Sequence, residues 1–493
     1  MRKLLSLVLS LTLVFSSVLM LASVVSAESK FKITEDADIA AKIKAFTDIK
    51  ALFTDKTDLN AVKQFYVNQF QTDVKRIDAT IKPDDPKIDE NISFVLDNAI
   101  KGTLNVAQAK QAVDKGLQWY FYFSLRDLIS NKVRPALAKE DFNTATTEFY
   151  KVVQIYEGVI QSTVTKRDGT YGLDMTGILK GTIEQLLADL AEKDANDFNV
   201  HRQVLDKTII KTYALATFTY ATNIPTKPAA DQPAAVTEGY FLYLPVYTYL
   251  RGGSVEDANY VLNVFASGDA SKVDKDKIQA ALQRTMIGKV SEYVTNAYTK
   301  LADGDLQGAR GYAMEGNMFL STQEVFFTKE EYAAAAAHAQ QFAEAIDMSD
   351  LAKAKTASFK MLKYLAAKDG TQISVNVKTY KVDGQSRTAA SAPFINKKTS
   401  RTLVPVRLIA DAINAEVSYD NSTKTVSIVK DGKKTELKLG SDQIIQDGKL
   451  NETLKLDQPV VVDKGSSFIP LRAVAELFGK GVFYDKGEII ILR

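Results

Sequence analysis

Apolar residues recur at three- and four-residue spacing from about Lys30 to Gly370, through stretches rich in Ala, Leu, Lys and Gln. That is the period of helices that bury one face, and strand-like alternation is scarce across the same span. Thr328-Lys-Glu-Glu331 has the spacing of a capping box and predicts a helix start ahead of Tyr332, the alanine run to His338, Phe342 and Ile346. Breaks fall at Lys82-Pro-Asp-Asp-Pro86, at Arg167-Asp-Gly169 and at Ile224-Pro-Thr-Lys-Pro228-Ala-Ala-Asp-Gln-Pro233. The last is the richest in proline. It either divides two helical subdomains, 28–223 and 237–369, or makes residues 224–236 one long surface loop. Leu137-Ala-Lys-Glu-Asp141-Phe-Asn-Thr-Ala145 echoes Leu301-Ala-Asp-Gly-Asp305-Leu-Gln-Gly-Ala309. Both words read as a helix end, a tight turn and an Asp opening the next helix. Duplicated halves and convergent hairpins both remain open as explanations.

After Gly370 the period drops to two. Ile373-Ser-Val375-Asn-Val377, Val426-Ser-Ile428 and Glu436-Leu-Lys-Leu439 alternate as strands do, with Asp431-Gly432 as a hairpin signal between the last two. Within this region, 370–493, one word is written twice. Arg401-Thr-Leu-Val-Pro405-Val-Arg407-Leu-Ile-Ala-Asp411 runs on to Val417-Ser-Tyr419-Asp420. Ser467-Phe-Ile-Pro470-Leu-Arg472-Ala-Val-Ala-Glu476 runs on to Val482-Phe-Tyr484-Asp485. Pro405 and Pro470, Arg407 and Arg472, Tyr419 and Tyr484, and Asp420 and Asp485 pair at one offset, which marks a duplicated structural unit. Each copy reads as strand, proline-bounded helix, strand. The prolines suit a helix's first turn, where no backbone donor is needed. Leu408, Ile409 and Ala412, and Ala473, Val474 and Leu477, make the buried helix faces. The second copy is about two residues shorter after Asp485 and closes in Ile489-Ile-Ile-Leu492. The fold class expected is therefore multidomain: a large all-α region, then a small α+β domain built on a duplicated strand-helix-strand unit.

Those two words carry a resemblance. The C-terminal quarter resembles the copper amine oxidase N-terminal-like domain, a small α+β module of secreted Gram-positive bacterial proteins, whose hallmark segments match Arg401–Arg407 and Phe468–Arg472. In the oxidases this module is an appendage, remote from the copper and the quinone. Oxidase chemistry would need a histidine-rich copper site and a tyrosine in an Asn-Tyr-Asp/Glu setting. This chain has only His201 and His338, and its Asn259-Tyr260 is followed by Val261. The resemblance implies a non-catalytic module, and the chain is not read as an amine oxidase. The helical remainder resembles no family that its residues bring forward.

Composition sharpens the setting. Arg2 and Lys3, the apolar run Leu4–Val25 and the small residues Val25-Ser-Ala27 read as a secretory signal over residues 1–27, with Glu28 the first mature residue. The rival reading is a retained membrane anchor. No later stretch is long and apolar enough to span a membrane. The chain has no Cys, which excludes disulfides and thiolate metal sites. Loss of Arg2 and Lys3 leaves 60 basic residues against 60 acidic ones. From Thr371 onward the count is 19 basic to 14 acidic, a modest excess that falls short of a nucleic-acid footprint.

Candidate chemistry is sparse. His201 with Asp197 and Asp194 has a spacing that shares one helix face and can hold a transition metal, although a solvated polar face has the same pattern. His338 lies in an alanine-rich helix, where packing or exposure competes with ligation. Trp119-Tyr-Phe-Tyr-Phe123, and Tyr240-Phe-Leu-Tyr243 with Tyr247 and Tyr249, suit either helix–helix packing or a sugar or partner surface. Arg407 and Arg472 suit anion binding, or a structural ion pair with acids such as Asp420 and Asp485. There is no Gly-rich phosphate loop, nucleophile elbow or zinc-protease word, and no cofactor is implied. The function expected is a secreted, non-catalytic protein, extracellular or associated with the cell wall. Its helical region would bind or scaffold, and its C-terminal module would touch an anionic wall polymer or another envelope protein. The alternatives are a helical solute- or metal-binding protein and an envelope-glycan hydrolase.

Overall fold

The computed structural model describes residues 31–430, 432–463 and 465–492. The signal-like segment, Glu28 and Asp431 lie outside them. Helices fill Ala37 to Lys368, and strands β1 to β14 with two short helices follow. No helix among the described residues is long and apolar enough to cross a membrane. The chain divides into two compact units, one formed by residues up to 289 with 310–329, the other by 290–309 with 330–493.

In the first unit the Ala195–Asn223 helix is the axis of the core, with nearly every residue from Phe198 to Thr217 buried. It packs against Met175–Ala191 and Gln232–Gly253, and Gln232–Gly253 packs in turn on Val106–Leu128. Both aromatic runs lie in these helices. Trp119 to Tyr122 are buried, as are Phe241, Tyr243 and Tyr247. Three of their hydroxyls find partners: Tyr122 donates to Asp206, Tyr243 to the Ala258 carbonyl and Tyr240 to Asn91, while the Trp119 ring N–H is buried without one. Most of these side chains are core, with Phe123, Tyr240 and Tyr249 half-buried at its edge.

The central helix also buries charge. Lys207 donates to Asp206 at 2.8 Å, Arg126 approaches the same carboxylate at 3.6 Å, and Lys207 lies 3.7 Å from Glu315. Burial works to raise the Asp206 pKa, but Arg126, Lys207 and the Tyr122 hydroxyl outweigh it and hold the group below the usual carboxylate range. Two glycines set the approach of a neighbouring pair. A Cβ on Gly253 would fall 1.8 Å from the Thr285 carbonyl oxygen, and one on Gly288 would fall 2.1 Å from the Gly253 oxygen. Gln232–Gly253 and Lys275–Ala302 thus touch backbone to backbone, which no larger residue allows.

The proline-rich segment is not where the molecule divides. Ile224–Thr226 is one 3-10 turn, Gln232 opens the next helix, and both flanks belong to the first unit. The reason is that the helices on either side of the prolines pack against each other. The boundary falls inside the Lys275–Ala302 helix instead.

The echo between Leu137–Ala145 and Leu301–Ala309 has a local cause. In both, a left-handed residue (Glu140, Gly304) precedes an Asp whose backbone N–H bonds five residues back, Asp141 to Ala136 and Asp305 to Lys300. The Asp side chain then accepts the N–H three residues on, from Thr144 and Gly308. The same connection recurs at Lys193-Asp194 and Ser349-Asp350. It is a Schellman end joined to an Asp cap, a standard way to reverse a helix. Four occurrences explain the shared words as one hairpin geometry.

The strand-rich part of the second unit follows the Leu351–Lys368 helix with only Asp369 between. Three sheets form, in the orders β13 (Gly481–Asp485), β14 (Glu488–Leu492), β1 (Gly370–Ser374), β2 (Thr379–Val382), β3 (Gln385–Thr388); β10 (Lys449–Lys455), β9 (Gln443–Gln446), β8 (Lys433–Lys438), β7 (Thr425–Lys430), β6 (Glu416–Asp420); and β11 (Val461–Asp463), β12 (Ser466–Pro470), β5 (Arg401–Pro405), β4 (Phe394–Asn396). The strand-helix-strand units are β5 (Arg401–Pro405), helix Val406–Ile413 and β6 (Glu416–Asp420), and β12 (Ser466–Pro470), helix Leu471–Leu477 and β13 (Gly481–Asp485). β5 and β12 pair antiparallel with Val404 opposite Ile469, its own counterpart in the other copy. Pro405 faces Phe468 and Pro470 faces Leu403, again with partners exchanged. Such a register places a pseudo-two-fold axis through the Val404–Ile469 pair. Pro405 proves to be the last strand residue and the helix cap rather than the first helical residue, since it still takes part in this pairing.

The axis relates more than the repeated words. β1 (Gly370–Ser374), β2 (Thr379–Val382) and β3 (Gln385–Thr388) correspond to β8 (Lys433–Lys438), β9 (Gln443–Gln446) and β10 (Lys449–Lys455). Asp383 accepts from the Gly370 N–H at 2.9 Å, and Asp447 from the Lys434 N–H at 2.8 Å. Asp383-Gly384 and Asp447-Gly448 both turn through positive φ, as a tight hairpin requires. The duplication therefore begins at Gly370, not at Arg401. It also exchanges strands. β14 (Glu488–Leu492), the end of the second copy, lies between β13 and β1, the start of the first. β7 (Thr425–Lys430), the end of the first copy, pairs with β8, the start of the second. Neither copy can close a sheet alone, and one core holds Leu408, Ile428, Val474 and Ile491 from both.

The copies differ where their surroundings differ. Ile490 and Leu492 alternate with core residues Ile489 and Ile491, on the face where the Leu351–Lys368 helix packs. Their counterparts in β7, Ser427 and Val429, are only half-buried.

Candidate functional site

The pseudo-two-fold axis generates two clefts. The larger, about 980 Å³, is walled by Pro405–Leu408 at the β5–helix junction and by Val417–Tyr419 of β6. Across it stand Val462, of β11 (Val461–Asp463), and Gly465–Ser467, both from the other copy. The smaller, about 490 Å³, is walled by Pro470–Arg472, Val482 and Tyr484, facing Ile395, of β4 (Phe394–Asn396), and Ser400–Thr402. Proline, arginine, valine and tyrosine recur at matching positions of the two clefts, and each cleft is walled by residues of both copies.

The structure thus brings Pro405, Arg407 and Tyr419 together in one cleft and Pro470, Arg472 and Tyr484 in the other. Arg407 and Arg472 are exposed. Tyr419 and Tyr484 are 43% and 45% exposed, unusual for large aromatic side chains and nearly equal in the two copies. Strand alternation explains this: Tyr419 and Tyr484 occupy strand positions whose side chains leave the core face.

Asp420 and Asp485 do not join them. Asp420 accepts from the Ser422 N–H and hydroxyl and from the Thr423 N–H within its own turn. Those bonds hold it at about 2, below the ordinary carboxylate value. Asp485 accepts from the Thr356 hydroxyl at 3.3 Å. The expected ion pair between Arg407 and Asp420 is not formed, because the turn's own donors occupy the carboxylate.

The clefts are alike without being identical. The β6–β7 turn is two residues longer than the β13–β14 turn, and it carries Asn421 and Lys424 to the rim of the larger cleft. Asp411 lies in that cleft, bonded to the Tyr380 hydroxyl and 3.6 Å from Arg387. Burial and the Asp411 carboxylate push Tyr380 up to about 12. In the smaller cleft Arg401 stands where the larger has Ser466, and it pairs with Asp457.

The metal candidates are not assembled. Asp194 caps the Ala195–Asn223 helix, accepting from Asn196 and Asp197. Asp197 pairs with Arg310 at 2.8 Å. His201 is buried with Nδ1 2.7 Å from Asp189, so neither ligation with Asp194 and Asp197 nor a solvated polar face describes it. The reason is register: Asp194 precedes the helix, and its neighbour Asp189 on the preceding helix reaches the imidazole first. His338 is half-buried, with Nδ1 3.1 Å from Gln341. Among the described residues no group of three or more His, Asp or Glu is placed to hold a metal.

Sequence reasoning found the motif residues but not the clefts they form. It missed the opposing walls, Ser400–Thr402 and Gly465–Ser467. The signal was present, since Thr402 and Ser467 each precede their aligned Leu403 and Phe468 in the two copies.

Residues 355–492 match the family model described as copper amine oxidase N-terminal domain. The match takes in most of the Leu351–Lys368 helix along with the duplicated sheets, and it covers the C-terminal quarter alone. The domain so recognised is a non-catalytic one. No curated protein and no solved structure matches the chain.

Proposed function

We propose that this is a secreted, non-catalytic protein of the cell envelope, whose C-terminal domain contacts an anionic wall polymer while its helical region supplies a scaffold or a second binding surface. The observation that carries the reading is the pair of clefts, each offering an exposed tyrosine and an exposed arginine beside hydroxyl-bearing residues. Arginine's planar fork matches carboxylate and phosphate groups, and a tyrosine ring gives an apolar face with a polar tip, the combination that holds a charged sugar polymer. The basic excess from Thr371 onward, 19 residues to 14, acts in the same direction. Support for a non-catalytic C-terminal domain comes from the matched family, which is without chemistry of its own.

The test is co-sedimentation of the mature protein with purified Gram-positive cell walls, before and after removal of their anionic polymers. Pelleting that is lost on stripping and weakened by added salt supports the reading. Equal pelleting with stripped walls, or none with intact walls, rejects it.

A further inference from the structure

Resting on that reading, we propose that the two clefts hold two separate segments of anionic glycan running in opposite directions, so that one protein molecule bridges two chains. A two-fold axis reverses every direction that lies across it, and the axis between two antiparallel strands stands across both. Because Val404 pairs with its own counterpart Ile469, the cleft carrying Arg407 and Tyr419 is turned end for end relative to the one carrying Arg472 and Tyr484. A glycan chain has distinct ends, so a segment that fits one cleft in a given direction fits the other only when reversed. A single straight chain lying along the strand direction therefore cannot satisfy both, whereas two antiparallel segments can. This is the logic of an isologous interface, in which the same patch is presented twice.

The ligand class follows from what the clefts share rather than from what distinguishes them. Shared are one arginine, one half-exposed tyrosine and a hydroxyl-bearing strand residue, Ser467 in one and Thr402 in the other. An acidic group on each repeat unit meets the arginine and a sugar face meets the ring. The larger cleft adds Lys424, and the smaller holds its second arginine, Arg401, against Asp457. Of the two, the larger cleft is the tighter site.

The experiment uses the full mature chain with two probes, purified wall teichoic acid for phosphate and polygalacturonate for carboxylate, and with dextran as the neutral control. Calorimetry with short oligomers counts sites, and light scattering with long chains detects bridging. Wild type takes two oligomers per protein and gives scattering that rises and then falls as protein is added in excess. Arg407→Ala with Tyr419→Ala, and separately Arg472→Ala with Tyr484→Ala, each halve the stoichiometry and abolish scattering while binding persists. All four side chains lie at the surface, and circular dichroism confirms that the variants fold. Scattering that survives in either variant, or wild type that binds without bridging, overturns the inference but leaves the envelope-binding reading standing. Failure to bind either probe, together with failure to pellet with walls, sinks both. Whichever probe bridges identifies the acid group.

Discussion

Removing Glu488–Arg493 tests the strand exchange directly, because the two possible architectures give opposite answers. If the copies were consecutive and self-contained, loss of the last strand would injure only the second. In the structure β14 lies between β13 and β1, so its loss strips the first copy's opening strands of their neighbour. Ile489, Ile490, Ile491 and Leu492 are each at most 1% exposed. At about 1.5–3 kcal/mol for each buried aliphatic side chain, together they contribute roughly 6–12 kcal/mol. That is comparable to the whole stability of a typical domain, about 5–15 kcal/mol. The expected outcome is that trypsin cuts the truncated protein after Lys378, Lys381 and Arg387, far from the deletion in sequence, while the helical signal of the first unit persists. Ile491→Ala grades the effect, with a cost of about 2–5 kcal/mol and partial protection of the same sites. A truncated protein that shields those three sites as well as the intact one would refute the exchanged topology.

Three further outcomes follow from particular contacts. Asp206→Asn removes the buried carboxylate that Lys207 and Arg126 share, leaving Lys207 only the more distant Glu315, and costs about 3–5 kcal/mol by urea unfolding. Its pKa is depressed in the fold, so this stabilisation is present above the unfolded carboxylate value and fades as pH falls through the lower folded one; the variant should lack that part of the acid dependence. Lys193→Gly and Ser349→Gly, at φ of 60° and 55° in Schellman ends where Gly304 already serves, should each raise stability by about 0.5–1 kcal/mol, read as an upward shift in melting temperature. Tyr380, pushed to about 12 by burial and Asp411, ionises later in the fold than in the unfolded chain, so its contribution is present below about 10 and is lost as pH rises through about 12. In an alkaline titration of phenolate absorbance, Tyr380→Phe should remove one residue from the late phase and none from the early one.

The sequence by itself determined the class of each part. The three-to-four spacing up to Gly370 and the alternation beyond it are local consequences of helix and strand geometry, so they survive without knowledge of neighbours. The repeated Pro-Arg-Tyr words and the domain family were legible for the same reason: they are contiguous strings. Burial of the aromatic runs was within reach too, since five successive aromatics on a helix must meet more than one neighbour. Only the tertiary structure decided what those strings do together. The metal reading of Asp194, Asp197 and His201 failed because Asp189 and Arg310, distant in pattern, took their partners. The proline-rich segment was no boundary, because packing between flanking helices outweighs a local break. The extent of the duplication was hidden, since β1 to β3 and β8 to β10 share little beyond an Asp-Gly turn, and the Leu351–Lys368 helix covers the sheet containing one set. The clefts were hidden most completely. Each is made by residues some sixty positions apart, brought face to face by a pairing whose register, Val404 opposite Ile469, is set by burial of both copies in one core.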